Sequence, residues 1–381
     1  MVACHQSCCL SDVFIFQIGM DKLSAFLRKK SFGTRINNKL YCSAISKASV
    51  LKKFPFIPDR SIVGLKLNEP KLVYVYDGVN IYSLKVTGLP SNHCPGSLMF
   101  MFERLNMEKE VEKRILYTGD FRFDDPSVPL TSLQSLHLNN SPLPINELYL
   151  DTKFCSPNYL SFPTRKNAEE KIWQICQRWI RKNGMFKDTN PQHVILLDLP
   201  PRFGSESILQ KIYQKSLNKW RVHVSGPNLP NYLCSSSIST CTDTDASKAP
   251  WIHACKRNKK LYQKSLPCQA GEFEVCQIKP NAAYFSQSKM AELEGEGQDP
   301  GLSVSHGGTS YRVCYSNHSS LTEIEHFVRY LRPQQITPCA MPFRSTKEDL
   351  QNILASFLEI HVGSGDAQAD QNTVEDQPVP R

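Results

Sequence analysis

Val194, Ile195, Leu196 and Leu197 follow one another with no polar residue between them, in the run HVILLDL over residues 193–199. A strand sends successive side chains to opposite faces, so such a run needs cover on both, as in a parallel sheet with helices on either side. Helical patterns flank it. Residues 168–182 bring Ile172, Ile175, Trp179 and Ile180 to one side, and residues 206–217 read as a second helix that leads into the strand Arg221-Val222-His223-Val224. Strand and helix alternate through the middle third of the chain, which sets the class as layered α/β.

Other segments extend this build. Residues 71–76 and 81–87 are β-rich and split by Asp77-Gly78, a hairpin signal. Residues 98–103, 114–118, 147–151 and 310–316 read as further strands. Residues 286–309 are polar and rich in Gly and Ser, and read as a long exposed loop. Residues 320–331 form an amphipathic helix capped by Ser319 or Ser320, and residues 345–359 a last helix capped by Ser345 or Thr346. From Gly363 the chain is polar, acidic and free of aromatic residues, and is expected to be a disordered tail. The length of 381 residues fits two domains, or one large unit carrying an insertion. No apolar stretch reaches the ~18 residues of a membrane span, and the run Val13–Phe16 is too short for a secretory signal. The 14 cysteines follow no regular framework, so they are expected to be reduced, some of them as metal ligands. A net charge of +9 is compatible with a phosphate-rich partner and equally with a mildly basic enzyme.

The chemistry gathers at strand ends. Asn92-His93-Cys94-Pro95-Gly96-Ser97 places a His in a tight turn. Thr118-Gly119-Asp120 and Leu150-Asp151-Thr152 each end an apolar run on a carboxylate, and Ser316-Asn317-His318 follows another strand. One such residue is commonplace, because a His or Asp after a strand often only orders its turn. Four converge if their strands are parallel neighbours. Imidazole and carboxylate together suit Zn²⁺ and, in part, Mn²⁺ or Mg²⁺, and a metal pair can activate water against a phosphodiester.

The strings NHCPGS, LYTGDFR, LYLDTKFC, IHAC, IKP and SYRVCYSNHSS stand in one order along the chain. In that order they resemble the signatures of the metallo-β-lactamase/β-CASP family of DNA repair nucleases, in its Artemis-like branch. The resemblance implies an αββα metallo-β-lactamase sandwich with an inserted β-CASP α/β domain. Residues 1–160 would form the first part of the core, 161–300 the insertion, 301–360 the return to the core, and 361–381 the tail. It also implies catalytic roles for His93, Asp120, Asp151 and His318, with Asp21, His93, Asp120 and Asp151 serving the metals and His318 near the scissile phosphate.

One part of the family pattern is degraded. Its metal motif, His-x-His-x-Asp-His after a strand, finds a register on Phe14 to Lys22. There Asp21 keeps its carboxylate, while Gln17, Gly19 and Lys22 stand at the histidine positions. Gln binds Zn²⁺ poorly, Gly not at all, and Lys brings a cation where a cation should bind. Strongly reduced or absent nuclease activity is the expectation. An alternative first exon that replaces an intact motif accounts for the same residues equally well.

A second group comprises His223, His253, Cys255 and Cys268. Residues i and i+2 of a strand share a face, which pairs His253 with Cys255. Two imidazoles and two thiolates make the closed donor set of structural zinc, although their spacing is not that of a standard zinc finger. The family resemblance implies a β-CASP zinc site at these four positions. Basic residues cluster at Arg28-Lys29-Lys30, at Lys256, Arg257, Lys259 and Lys260, and at Lys211, Lys215, Lys219 and Arg221, with Tyr213, Trp220 and Tyr262 interleaved. Such surfaces hold phosphates and stack unpaired bases, or are only solvated faces.

The resemblance thus implies a nuclear, monomeric DNA nuclease without membrane attachment. It would act as a 5′-exonuclease and a hairpin or overhang endonuclease in double-strand break repair by end joining and in interstrand cross-link repair, alongside repair proteins. Two alternatives stay open. One is an inactive paralogue that binds DNA or repair partners. The other is an RNA-processing β-CASP enzyme, although TGDFR and LDTKFC look like the DNA branch.

Overall fold

The computed structural model describes residues 13–15, 39–76, 79–124, 133, 136–138, 141–183, 192–200, 203–225, 236–255, 266–269 and 271–359. Gln17, Gly19, Asp21 and Lys22 lie outside these residues. So do the basic groups at 28–30 and 256–260, Tyr262, the Asp77-Gly78 turn and the tail.

The first elements are β1 (Val13–Ile15), β2 (Lys39–Ser43), α1 (Ala44–Lys53), β3 (Ile62–Leu65), β4 (Pro70–Tyr76), β5 (Ile81–Pro90), β6 (Leu98–Leu105) and β7 (Val111–Tyr117). Next come β8 (His137–Leu138), β9 (Ser141–Pro142), β10 (Glu147–Leu150), α2 (Arg165–Lys182), β11 (His193–Leu197), α3 (Glu206–Lys215), β12 (Val222–Ser225), α4 (Ser236–Ser239), β13 (Thr242–Asp243) and β14 (Ile252–Cys255). The last are β15 (Glu274–Pro280), α5 (Gln287–Gly295), β16 (Leu302–Ser305), β17 (Ser310–Val313), α6 (Leu321–Leu331), β18 (Gln335–Pro338) and α7 (Lys347–Leu358). The fold is mixed α/β.

Period-two alternation decides what packs on what. Strands β1-β2-β3 form a parallel sheet. Leu40 and Cys42 of β2 face Val50 and Phe54, with α1 behind them, while Tyr41 between them faces the opposite way, onto Val73, Val75, Val86 and Phe100. Those four belong to a six-stranded sheet in the order β18-β10-β7-β6-β5-β4. On β6 the alternate residues Met99 and Met101 point to the other face. There Leu148 and Leu150 of β10 meet Ile324 and Val328 of α6 and Leu350 and Leu354 of α7. The capping box of Ser320 and Glu323 starts α6, and Thr346 caps α7.

A seven-stranded sheet, β13-β12-β14-β11-β15-β17-β16, is parallel except for the edge strand β16. Its β11 is covered on both faces, as the apolar run requires: Ile195 and Leu197 pack under α2 and α3, and Val194 and Leu196 against Leu266 and Phe273. The expected loop at 286–309 is instead α5 followed by β16. Ser286 caps the helix and Leu293 is buried beside Phe154 and Phe285, so tertiary packing overrides a polar, Gly-containing composition. Among the described residues, no helix is long and apolar enough to cross a membrane.

Candidate metal and nuclease site

Strands β5, β7 and β10 run in one direction in the six-stranded sheet, so their C-terminal ends share an edge. His93 follows β5 in a turn built by serines. Ser91 Oγ donates to Ser97 Oγ at 2.7 Å, and Ser97 Oγ accepts from the Cys94 amide at 3.0 Å. Gly96 has φ +83°, and a Cβ there would stand 2.9 Å from Ile45 Cβ, so this turn requires glycine. Ser43, the N-cap of α1, donates to the Gly96 carbonyl at 2.7 Å and so anchors the turn to the neighbouring sheet.

His93 Nδ1–H donates to the Asn317 carbonyl at 3.0 Å, which leaves Nε2 facing Asp120 Oδ2 at 3.7 Å. Burial, reinforced by the neighbouring His318, pushes His93 down to about 4, so the ring is neutral and its Nε2 lone pair available at neutral pH. His318 comes from beyond β17 and thus from the other sheet, not from a fourth parallel neighbour as the strand-end pattern implied. The donor atoms of His93, Asp120 and His318 lie within 4.8 Å of one another.

Asp151 stands behind His318. It is buried, and its Oδ2 meets His318 Nδ1 at 2.7 Å while Oδ1 accepts from the Lys153 amide at 3.1 Å. Burial alone would raise the Asp151 carboxyl, but the His318 ring and these hydrogen bonds hold it below its ordinary value. On the far side of the ring, Lys153 Nζ lies 3.0 Å from His318 Nε2. Among the described residues, then, His93 and Asp120 fit a metal, whereas the Nε2 of His318 already faces an ammonium. The described donors alone do not complete a catalytic metal centre.

The second cluster does fit one. His223 and His253 are cross-strand partners on β12 and β14. Each directs Nδ1 inward, and the two nitrogens are 3.3 Å apart. Cys255 Sγ lies 3.1 Å from His223 Nδ1, and Cys268 Sγ 3.4 Å from His253 Nδ1. A tetrahedral zinc with ordinary Zn–N and Zn–S lengths separates its ligand atoms by roughly 3.3 to 3.8 Å. The outward Nε2–H groups donate to the carbonyls of Thr244 at 3.2 Å and Pro250 at 3.0 Å, which fixes both tautomers for Nδ1 ligation. Cys268 falls to about 3, chiefly through its hydrogen bond with Cys255 and despite burial, so one thiolate is already favoured.

The proposed stacking surface is corrected. Trp220 is buried in the core of the seven-stranded sheet, 5.0 Å from Trp173, and offers no face to a base. Lys211 and Lys215 share Glu170, and Arg221 pairs with Asp243, so acids offset that basic group locally.

A family model for the DNA repair metallo-beta-lactamase domain matches residues 237–342, which hold His253, Cys255, Cys268 and His318. Protein artemis of Danio rerio is 28% identical over 360 residues, 90% of this chain and 51% of that protein. Protein artemis of Homo sapiens is 28% identical over 352 residues, 88% of this chain and 46% of that protein. The 5′ exonuclease Apollo of Rattus norvegicus is 29% identical over 299 residues, 78% of this chain and 46% of that protein. Most of the chain is thus similar to the Artemis and Apollo proteins, and part of it matches the DNA repair metallo-beta-lactamase domain. It spans about half the length of the curated relatives it matches.

In this Artemis-like chain the structure brings His93, Asp120, Asp151 and His318 together, and His223, His253, Cys255 and Cys268 into a second cluster. Sequence reasoning missed three residues that shape the first: Lys153, Asn317 and Ser43. Only Lys153 carried a signal, as a cation two positions after a strand-end carboxylate.

Proposed function

We propose that this Artemis-like chain is a DNA-processing protein whose cleft receives a phosphodiester, and whose metal-dependent hydrolysis is strongly reduced relative to a complete centre. The observation that carries the reading is the meeting of His93, Asp120 and Asp151 from one sheet with His318 from another. In this reading His93 and Asp120 hold a divalent metal, Zn²⁺, Mn²⁺ or Mg²⁺, which would polarise a phosphate oxygen and supply an acidified water when bound. Asp151 fixes the His318 ring, and His318 lies beside the phosphate. The αββα metallo-β-lactamase arrangement is supported by α1, two facing sheets and the α6–α7 pair packing in sequence. A β-CASP insertion over 161–300 is supported by the seven-stranded sheet, to which β16 and β17 also belong. His223, His253, Cys255 and Cys268 hold a structural zinc that ties β12 and β14 to the 266–269 segment. Lys256, Arg257, Lys259 and Lys260 follow β14 directly and serve as phosphate contacts. The protein works in the nucleus, on DNA ends, single strands and hairpins, in break and cross-link repair.

A second reading, an inactive DNA-binding paralogue, is favoured by one observation: the ammonium of Lys153 on His318. Incubating the chain with a 5′-phosphorylated single strand and Mn²⁺ separates the two. Slow cleavage that Asp120→Ala abolishes supports the nuclease. Binding without any cleavage, unchanged by Asp120→Ala, supports the paralogue, and absence of both binding and cleavage defeats both.

A further inference from the structure

We propose that Lys153 is a resident cation that takes the place of metal at His318, and so sets the metal affinity of this cluster. The inference rests on reading the cluster as the family's hydrolytic centre.

An ammonium has three donors and no acceptor. Its 3.0 Å contact therefore makes His318 Nε2 the acceptor and puts the ring proton on Nδ1, toward Asp151 Oδ2 at 2.7 Å. That Nε2 lone pair is the one the imidazole would give to a metal. The carboxylate behind the ring is the partner that orients a metal-bound histidine, so His318 is built as a ligand and occupied as an acceptor. A divalent ion that reached it would have to expel the ammonium and then sit beside a like charge. The contact is held in place: the Lys153 amide donates to Asp151 Oδ1 at 3.1 Å, and its ammonium lies 5.7 Å from the ring centre of Phe154. Among the described residues Lys153 joins no ion pair, so its charge stays directed at the cluster and at any phosphate that enters. The Lys153 side chain is exposed, so its ammonium can swing away when a divalent ion competes for the His318 lone pair.

The test is a calorimetric titration of the full, zinc-loaded chain with Mn²⁺, a hard ion that favours carboxylate, accepts imidazole beside it, and leaves a Cys/His zinc site alone. Lys153→Met keeps the length and removes the charge, and Lys153→Arg keeps the charge. The expected result is at least tenfold tighter Mn²⁺ binding by Lys153→Met than by the parent chain, with Lys153→Arg resembling the parent. Adding His318→Ala to Lys153→Met should return the weak affinity. Equal affinity in the parent and Lys153→Met, including no binding by either, overturns the proposal, as does a gain that survives His318→Ala. The titration contains no DNA, so a failure to cleave counts against the hydrolytic reading and not against Lys153.

Discussion

The Arg122 guanidinium, fully buried, meets the Glu323 carboxylate at 3.1 Å. It also donates to the Ser316 carbonyl at 2.8 Å and the Pro163 carbonyl at 2.9 Å. Pro163 precedes α2, where the chain leaves the six-stranded sheet, and Ser316 follows β17, where it returns. Glu323 in turn accepts from the Ser320 amide at 2.8 Å and caps α6. One side chain thus ties both crossings to the helix that follows. Removing one member of a buried pair strands the other charge. Arg122→Ala should cost about 3–5 kcal/mol in urea unfolding, and Arg122→Lys much of that, because an ammonium cannot span three partners in a plane. A loss below about 1 kcal/mol would show that the crossings are held elsewhere.

Glu206 starts α3 from a buried position, and burial raises its carboxyl above the ordinary value against the Gly204 amide hydrogen bond at 2.6 Å. The folded state therefore holds a proton that the unfolded chain releases. Its stabilising contribution is complete below the unfolded value of 4.5 and is lost as pH rises through the folded one. Glu206→Gln removes this dependence while keeping an acceptor for Gly204. Thermal midpoints measured from pH 5 to 8 should decline less in Glu206→Gln than in the parent. Glu206→Ala should lose about 1–3 kcal/mol at every pH, because the buried amide is left unpaired.

Removal of zinc should loosen the seven-stranded sheet while leaving the six-stranded one folded. The purified chain should release about one zinc on denaturation, and Cys268→Ser should release almost none. Chelation should lower the thermal midpoint by several degrees in the parent and not in Cys268→Ser. Equal midpoints with and without chelator would mean that Cys255 and Cys268 are only packed thiols.

Trp220→Ala separates a core residue from a base-stacking one. Cavity formation beside Trp173 should cost about 3–5 kcal/mol of stability. Single-strand affinity, measured below the unfolding range by fluorescence anisotropy, should keep its value and its salt slope. A selective loss of DNA affinity at unchanged stability would restore the stacking role.

Local pattern went far in this chain because side-chain periodicity is a property of the backbone. The apolar run at β11 and the helical spacing in α2 both stand where their patterns put them. Strand ends also pointed to His93, Asp120, Asp151 and His318, since polar residues in the first few positions after a buried strand lie near the sheet edge. The polar stretch at 286–309 misled for the converse reason: α5 owes its place to Leu293 and Met290 seated on a distant aromatic cluster, and composition does not record such a neighbour.

The sequence by itself determined where the apolar runs lie, which of them are followed by a His or an Asp, and that His253 and Cys255 share a face. Only the tertiary structure decided that His223 stands opposite His253, that the Asn317 carbonyl fixes His93, and that Lys153 claims the lone pair of His318. His93 and Asn317 are 224 positions apart, and Lys153 and His318 are 165 apart. Contacts of that separation are set by how two sheets dock and where the chain crosses between them. That docking is a balance of packing and closure entropy over the whole chain, and no local window of residues carries it.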